Sequence, residues 1–181
     1  IDRSLGFAGI TAFLVEQGAA ERLTRPEPGT SHIPESWSPK GDRFLFSVKK
    51  GSDFSLWTYS LRDKKATPFG EVHSPDPTNA VFSPDGRWVA YASTERNRPT
   101  IYVQPFPASG VQYQLPIEAS GLATQPLWSS DGKELFYNPA PAEFAWVSVM
   151  TQPTFTFGNP ETVPRPFRTG PPAVRRAFDI T

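Results

Sequence analysis

One turn motif recurs along the chain at a nearly constant spacing. The windows PESWSPKGDRFLFSV, NAVFSPDGRWVAYAS and QPLWSSDGKELFYNP begin at Pro34, Asn79 and Gln125, so they are 45 and 46 residues apart. Four apolar segments, ITAFLV, LWTYSL, IYVQPF and FAWVSV, follow one another at spacings of 46, 45 and 43 residues. Because two different motifs keep the same period, the sequence predicts a repeat architecture in which each period is one structural unit.

The Ser-Pro-Asp-Gly segment at the centre of the repeat predicts a tight turn. Pro84 fixes φ at the first corner, Asp85 can accept hydrogen bonds from nearby backbone, and Gly86 allows a positive φ. The glycine recurs as Gly41 and Gly132, whereas the proline and the aspartate are each replaced in one repeat. Since a positive φ is costly for residues with a Cβ atom, we expect a hairpin turn at this glycine in all three repeats.

The strand that follows each turn is apolar on both of its faces. RFLFSV, WVAYAS and ELFY carry apolar side chains at consecutive positions, whereas a sheet with one solvated face alternates apolar with polar residues. One period contains four short strands of this kind, and a four-stranded unit that needs cover on both faces is typical of a β-propeller blade. A β-sandwich also uses short strands, but it does not normally repeat one turn motif at a fixed period. The predicted fold class is therefore all-β, a β-propeller.

The repeat divides the chain into blades. We predict the tail strands of a preceding blade over 1–30, complete blades over 31–72, 73–119 and 120–170, and the first strand of the next blade over 171–181. Three complete blades with half-blades at the ends form a partial ring, whose apolar end faces should not remain in water. We therefore expect further blades of the same chain, or a second copy in a homo-oligomer, to cover those faces.

The composition excludes several classes of function. Eighteen Lys and Arg residues balance eighteen Asp and Glu residues, so no bulk positive field would gather nucleic acid. The chain has no cysteine, and therefore no disulfide, thiolate zinc site or thiol nucleophile. Its longest apolar stretch, LGFAGITAFLV, is about half the length of a bilayer-spanning helix. We expect a soluble chain without direct membrane insertion.

The turn sequences WSPKG, FSPDG and WSSDG, each followed by an apolar strand, resemble the Pro-Asp, WD-like repeats of TolB-type β-propellers. Such repeats also form the propeller of prolyl-oligopeptidase-like peptidases. More narrowly, IYVQPFPASG, TQPLWSSDGKELFYN, FGNPETVPRPF and RRAFDIT resemble, in this order, the carboxy-terminal propeller of bacterial eukaryotic-like serine/threonine kinases, over residues 30–181. This resemblance implies a sensory or interaction module with a protein or peptide partner, in an extracytoplasmic or periplasmic location.

The chain lacks the motifs of either catalytic domain. It has no glycine-rich phosphate loop, no His-Arg-Asp or Asp-Phe-Gly triplet, and no Gly-x-Ser-x-Gly elbow. We therefore predict that the chain itself is not an enzyme and uses no cofactor. Three roles stay open: the outer part of a receptor-type kinase, the gating propeller of a peptidase, and a TolB-like periplasmic scaffold for proteins.

Five polar residues are candidates for ligand contact at the mouth of the central channel. His32 and His73 precede the aromatic residue of the turn motif by five and nine residues, and we predict that they lie in loops entering the innermost strands. Glu35, Asn79 and Gln125 lie at or beside equivalent positions just before that aromatic residue. The alternatives are solvated loop histidines and side chains that cap strand ends. No cluster of His, Asp or Glu has the spacing of metal ligands, so no metal site is predicted.

The tryptophans could be interpreted as a sugar-stacking platform or as core residues. Their recurrence at the strand positions of the repeat favours packing in the core. The residues concerned are Trp37, Trp57, Trp88 and Trp128.

Overall fold

The computed structural model describes residues 10–14, 19–95, 98–117, 121–140 and 143–164. These residues form fifteen β-strands in four antiparallel sheets, and no helix occurs among them. Sheet one contains β1 (Thr11–Leu14) and β2 (Ala19–Arg22). Sheet two contains β3 (Thr30–Trp37), β4 (Arg43–Lys50), β5 (Asp53–Ser60) and β6 (Lys65–Ser74). Sheet three contains β7 (Val81–Phe82), β8 (Trp88–Glu95), β9 (Arg98–Pro105) and β10 (Tyr113–Gln114). Sheet four contains β11 (Thr124–Trp128), β12 (Glu134–Asn138), β13 (Glu143–Met150), β14 (Thr156–Phe157) and β15 (Glu161–Pro164).

Strands that follow one another in the sequence are neighbours in space, so sheets two and three are four-stranded meanders. In sheet four, β14 and β15 both pair with β13, at opposite ends of that strand. The first strands of neighbouring sheets converge, because β7 contacts both β3 and β11. A hydrogen bond of 3.3 Å from the Phe82 backbone N–H to the Ser36 hydroxyl joins β7 to β3. The strands β3, β7 and β11 are therefore the innermost strands of their sheets.

The three turns have the predicted geometry. Their glycines have positive φ values of 68° at Gly41, 71° at Gly86 and 71° at Gly132. In the second turn, Asp85 Oδ1 accepts hydrogen bonds from the Ser83 hydroxyl at 2.6 Å and from the Arg87 backbone N–H at 3.0 Å. Asp131 makes the equivalent bonds in the third turn. Local turn chemistry thus accounts for both aspartates.

Each of the later turns also packs on the turn of the preceding sheet. A Cβ atom added at Gly86 would lie 3.3 Å from Pro39 Cδ, and one added at Gly132 would lie 3.5 Å from Pro84 Cδ. The proline of one turn therefore supports the glycine of the next, in addition to shaping its own corner.

Apolar side chains fill the spaces between the sheets. The core between sheets two and three includes Leu45, Leu56, Phe69, Phe82 and Tyr91. The core between sheets three and four includes Ile101, Val103, Leu115, Leu135 and Val147. The strand β8 contributes to both, since Val89 and Tyr91 lie in the first core and Ala90 in the second, each at most 2% exposed. Sheets buried on both faces and converging at their first strands confirm the predicted all-β propeller.

The prediction that the tryptophans are core residues is correct for Trp128 and wrong for Trp37. Trp128 is 5% exposed, whereas Trp37 is 51% exposed. Trp57 and Trp88 are half-buried and pack against the edges of the core. Trp37 contacts Phe44, with ring centroids 5.1 Å apart, on the face of sheet two that is turned toward sheet one. Among the described residues, sheet one contributes two strands on this side of sheet two.

The strands of sheets two, three and four span residues 30–74, 81–114 and 124–164. The predicted first strand of a further blade, at 171–181, lies outside the described residues. The exact blade limits stay a prediction.

Candidate binding site on the innermost strands

The innermost strands share a backbone irregularity at one level of the sheets. The register of the β3–β4 ladder shifts around Glu35, and that of the β11–β12 ladder shifts around Gln125. Gln125 has a φ of 56°, and Asn79, the equivalent residue before β7, has a φ of 46°. Left-handed backbone at a residue other than glycine costs of the order of 1–3 kcal/mol, and such residues cluster at functional sites. Three of the five predicted channel-mouth residues therefore lie at irregular backbone positions.

Glu35 links sheets two and three through two buried hydroxyl groups. Its Oε1 accepts hydrogen bonds from Ser47 Oγ at 2.6 Å and from Thr78 Oγ1 at 3.2 Å, and the two hydroxyl oxygens are 2.9 Å apart. Ser47 and Thr78 are both 0% exposed, whereas Glu35 is half-buried. Hydrogen bonds to a carboxylate are shorter and stronger than those between neutral groups. These bonds hold the Glu35 carboxylate in a fixed position beside the innermost strands.

Asn79 and Gln125 use their side chains to satisfy neighbouring polar groups. Asn79 Nδ2 donates a hydrogen bond to the Pro77 carbonyl oxygen at 3.1 Å, and Gln125 Oε1 accepts one from Asn138 Nδ2. Both side chains are buried. These bonds fit the capping role that the sequence leaves as the alternative, and ligand contact by the two amides stays a prediction.

His32 lies within β3, opposite Val48, rather than in a loop. Its ring centroid is 5.1 Å from that of Phe46. Its Nδ1 is buried, and no described residue forms a hydrogen bond with it. Because burial disfavours the charged imidazolium, the pKa of His32 lies below its ordinary value of 6.5. At neutral pH, His32 is therefore an uncharged side chain that packs on an aromatic ring.

His73 lies on β6, the outermost strand of sheet two, opposite Ser55. Its Nδ1 is 3.0 Å from Asp53 Oδ2, and the histidine side chain is 65% exposed. The structure corrects the expected loop position, because β6 continues as far as Ser74 and the connection to β7 begins only after it. Two strands, β4 and β5, thus separate His73 from β3, the innermost strand of its own sheet.

Sequence reasoning missed the two hydroxyl groups that hold Glu35. Thr78 and Thr124 are equivalent residues 46 positions apart, and both directly precede a left-handed residue. The recurrence of threonine just before Asn79 and Gln125 could have predicted a buried hydroxyl group beside them. Ser47 carried no such signal, because the equivalent residues are Ala92 and Asn138.

The arrangement offers one carboxylate, two amide side chains and two hydroxyl groups near three converging strands. Within the described ranges, no group of three or more His, Asp or Glu side chains could hold a metal ion. Those ranges also contain no helix long and apolar enough to cross a membrane. The hydroxyl groups and the amide side chains are buried and already hydrogen-bonded, so the group of this site that is open to a partner is the half-buried Glu35 carboxylate, which accepts hydrogen bonds.

The fold is similar to that of several solved structures. TolB from Acinetobacter baumannii matches with a TM-score of 0.63 and 21% sequence identity, over 83% of this chain and 36% of that one. A putative TolB from Agrobacterium tumefaciens matches with a TM-score of 0.65 and 17% identity, over 88% of this chain and 57% of that one. The β-propeller domain of the Trilobed protease from Pyrococcus furiosus matches with a TM-score of 0.53 and 14% identity, over 74% of this chain and 42% of that one.

At these identities the likeness shows the fold, which is a TolB-like β-propeller. The chain spans 36% and 57% of the lengths of the two TolB structures. The sequence matches no protein-family model and no curated protein.

Proposed function

We propose that the chain is a non-catalytic β-propeller module that binds a protein or peptide through the polar groups of its innermost strands. The observation that carries the proposal is the coincidence of Glu35, Asn79 and Gln125 with irregular backbone at one level of the sheets. Regular strand backbone at these positions would have a lower conformational free energy. Backbone strain of this kind persists where packing or function requires it, and the half-buried Glu35 carboxylate at this level favours function.

Glu35 defines the chemistry of the partner. A half-buried carboxylate that already accepts two hydroxyl hydrogen bonds is positioned before the partner arrives, so its ordering costs little on binding. A carboxylate binds donors and cations most strongly, which favours a peptide amine, a Lys or Arg side chain, or a backbone N–H group. We propose a partner segment that presents one of these groups to Glu35.

The test is the selection of peptides from a random library on the purified chain, followed by calorimetry on matched variants. Glu35→Gln keeps the shape of the side chain but removes its charge, and we expect selected peptides to lose about tenfold in affinity, or ~1.4 kcal/mol. His73→Gln, on the outermost strand, is the control and should leave the affinity unchanged. Peptides that bind Glu35→Gln as tightly as the wild type would overturn the proposed site. Kinase or hydrolase turnover by the purified chain would overturn the non-catalytic assignment.

The sequence resemblance supports a place for this module in the extracytoplasmic part of a receptor-type kinase. Two other roles have support from the structural matches: a TolB-like periplasmic scaffold and the gating propeller of a peptidase. The flanking sequence of the gene distinguishes them. A kinase domain and one transmembrane span upstream favour the first role, a signal peptide with a small mixed domain the second, and a hydrolase domain downstream the third.

We also propose that further blades of the same chain, or a second copy, cover the apolar side chains at the two ends of the stack. Trp37 is 51% exposed on sheet two, and Met150 is 63% exposed on β13. Exposed apolar surface of this kind favours association. Light scattering of the chain should therefore detect association, and a stable monomer in dilute solution would contradict the proposal.

A further inference from the structure

One face of sheet four differs from the equivalent faces of sheets two and three. Phe136 of β12 and Trp146 of β13 lie directly opposite each other on this face. The repeat places two smaller pairs at the same positions, Leu45 with Thr58 in sheet two and Ala90 with Val103 in sheet three. Leu45, Ala90 and Val103 belong to the cores shared with the next sheet, and each is 0% exposed. Sheet four therefore carries two large aromatic rings where the other sheets carry residues that a following sheet covers.

The described strands leave this face of sheet four without a covering sheet. Those that contact sheet four from outside belong to sheet three, and they pack on its opposite face. Phe136 and Trp146 are each half-buried. Met150, on the same side of β13 as Trp146, is 63% exposed. An apolar surface of this kind favours contact with another segment of protein.

Two carboxylates share this face with the aromatic rings. Glu161 of β15 lies opposite Trp146, and Glu134 lies two residues before Phe136 on β12. Because alternate residues of a strand point to the same side, all four side chains project from one face. None of the described residues forms an ion pair with Glu134 or Glu161. The face is thus complementary to a segment that carries apolar side chains together with cations.

The segment that directly follows β15 has this composition. β15 ends at Pro164, and residues 165–178 read RPFRTGPPAVRRAF. They contain four arginines and no acidic residue, and the apolar side chains among them include Phe167, Val174 and Phe178. Arginine is the cation best suited to this face, since its guanidinium pairs with carboxylates and stacks on tryptophan. The short connection to β15 holds the segment near the face at an effective concentration of about 1 mM, so a weak attraction suffices.

We infer that residues 165–178 of the same chain dock on this face of sheet four. Their arginines pair with Glu134 and Glu161, and their apolar side chains pack on Phe136 and Trp146. Three prolines restrict the segment before it docks, which lowers the entropy lost on docking. The inference names an occupant for one of the two end faces, and it does not depend on the proposed peptide site at Glu35.

The test is limited digestion of the full chain with trypsin, which cleaves after Arg168 and Arg176 in this segment. A docked segment is cleaved only when it detaches, so the rate reports the detached fraction. A synthetic peptide of residues 163–181 gives the rate of a segment that cannot dock. With an intrinsic Kd of about 0.1 mM, we expect about tenfold slower cleavage in the chain than in the peptide at low salt. Adding NaCl to about 0.5 M should remove much of this protection by screening the ion pairs. Cleavage of the chain at the rate of the peptide, or protection that salt leaves unchanged, overturns the inference.

Matched variants locate the docking surface. Glu134→Gln combined with Glu161→Gln keeps the shape of both side chains and should speed cleavage about 3–10-fold by removing two ion pairs. Glu71→Gln, which alters an exposed carboxylate on β6 of sheet two, is the control and should leave the wild-type rate unchanged. Trp146→Val introduces the residue of the equivalent position in sheet three and should speed cleavage to a similar extent as the double variant. Thermal unfolding verifies that the variants fold. Wild-type protection in the folded double variant overturns the inference. So does protection that falls when the chain is diluted, because a second copy would then supply the segment.

Discussion

Two levels of the blades, the turn end and the irregular backbone three or four residues before it, satisfy polar groups in different ways. At the turn end, all three turns use one solution: the glycine N–H donates to the serine carbonyl oxygen at 2.8, 2.9 and 3.0 Å. The hydroxyl of the same serine accepts a hydrogen bond from the next strand at 3.1, 3.0 and 3.0 Å. This uniformity is what makes the repeat visible in the sequence.

At the bulge end, the level of the irregular backbone, each sheet has its own solution. Glu35 reaches from sheet two to a hydroxyl of sheet three. Asn79 donates to the Pro77 carbonyl oxygen two residues before it, and Gln125 pairs with an amide of the neighbouring strand β12. The comparison indicates that the repeated hydrogen bonds of the turn end determine the architecture. The bulge end differs from sheet to sheet, and it is therefore the better candidate for a binding site.

The largest effect should come from the aromatic position beside the turns. Trp128→Ala removes a side chain that is 5% exposed, and it should lower the free energy of unfolding by about 3–5 kcal/mol. Trp37→Ala, at the equivalent position but 51% exposed, should cost less than about 1 kcal/mol. Chemical denaturation of both variants measures the difference. A loss at Trp37 as large as that at Trp128 would mean that other parts of the protein cover Trp37.

The turn glycines allow the contact between neighbouring turns to be separated from backbone strain. Gly86→Ala forces a Cβ into left-handed backbone and places it 3.3 Å from Pro39, so we expect a loss of about 2–3 kcal/mol. Gly41→Ala has nearly the same φ but no atom within 4 Å of the added Cβ, so strain alone should cost about 1–2 kcal/mol. Both values come from urea unfolding. Equal losses would show that the packing of one turn on the next contributes nothing.

A smaller effect is expected at the bulge end, where Thr78→Val replaces a fully buried hydroxyl by a methyl group. The change removes a hydrogen-bond donor to Glu35 and a partner of Ser47, and it should cost about 1–2 kcal/mol. Thr124→Val is the matched control, because the Thr124 hydroxyl makes a long bond of 3.4 Å within its own sheet. We expect it to cost less than about 1 kcal/mol. If the two variants lose equal stability, the Glu35 link between sheets two and three is not a distinctive feature of this chain.

The difference between the two ends also explains what could be predicted from the sequence. The turns were predictable because a positive φ at Gly86 and the hydrogen bonds of Asp85 depend on residues within five positions of one another. The Glu35 cluster was not, because Thr78 meets Glu35 across 43 residues through the stacking of two sheets. The 51% exposure of Trp37 was not predicted either, because the repeat fixes the place of this residue along its strand but not what packs on it from another sheet.

The smallest effect concerns His32, whose pKa burial lowers below 6.5. His32 therefore binds a proton more tightly in the unfolded chain than in the folded chain. Its contribution to stability is present above pH 6.5 and is lost as the pH falls through the pKa of the folded state. His32→Phe keeps an aromatic ring beside Phe46 and should remove the part of the pH dependence of stability that His32 causes. His73→Gln should retain that pH dependence. Unfolding free energies measured on both sides of pH 6.5 test the prediction. The turn aspartate Asp131 titrates at lower pH than this, because a hydrogen bond from the Ser129 hydroxyl holds its pKa below 3.8. If the stability of the wild type and that of His32→Phe change in parallel between these pH values, burial of the His32 imidazole in β3 does not disfavour its protonation.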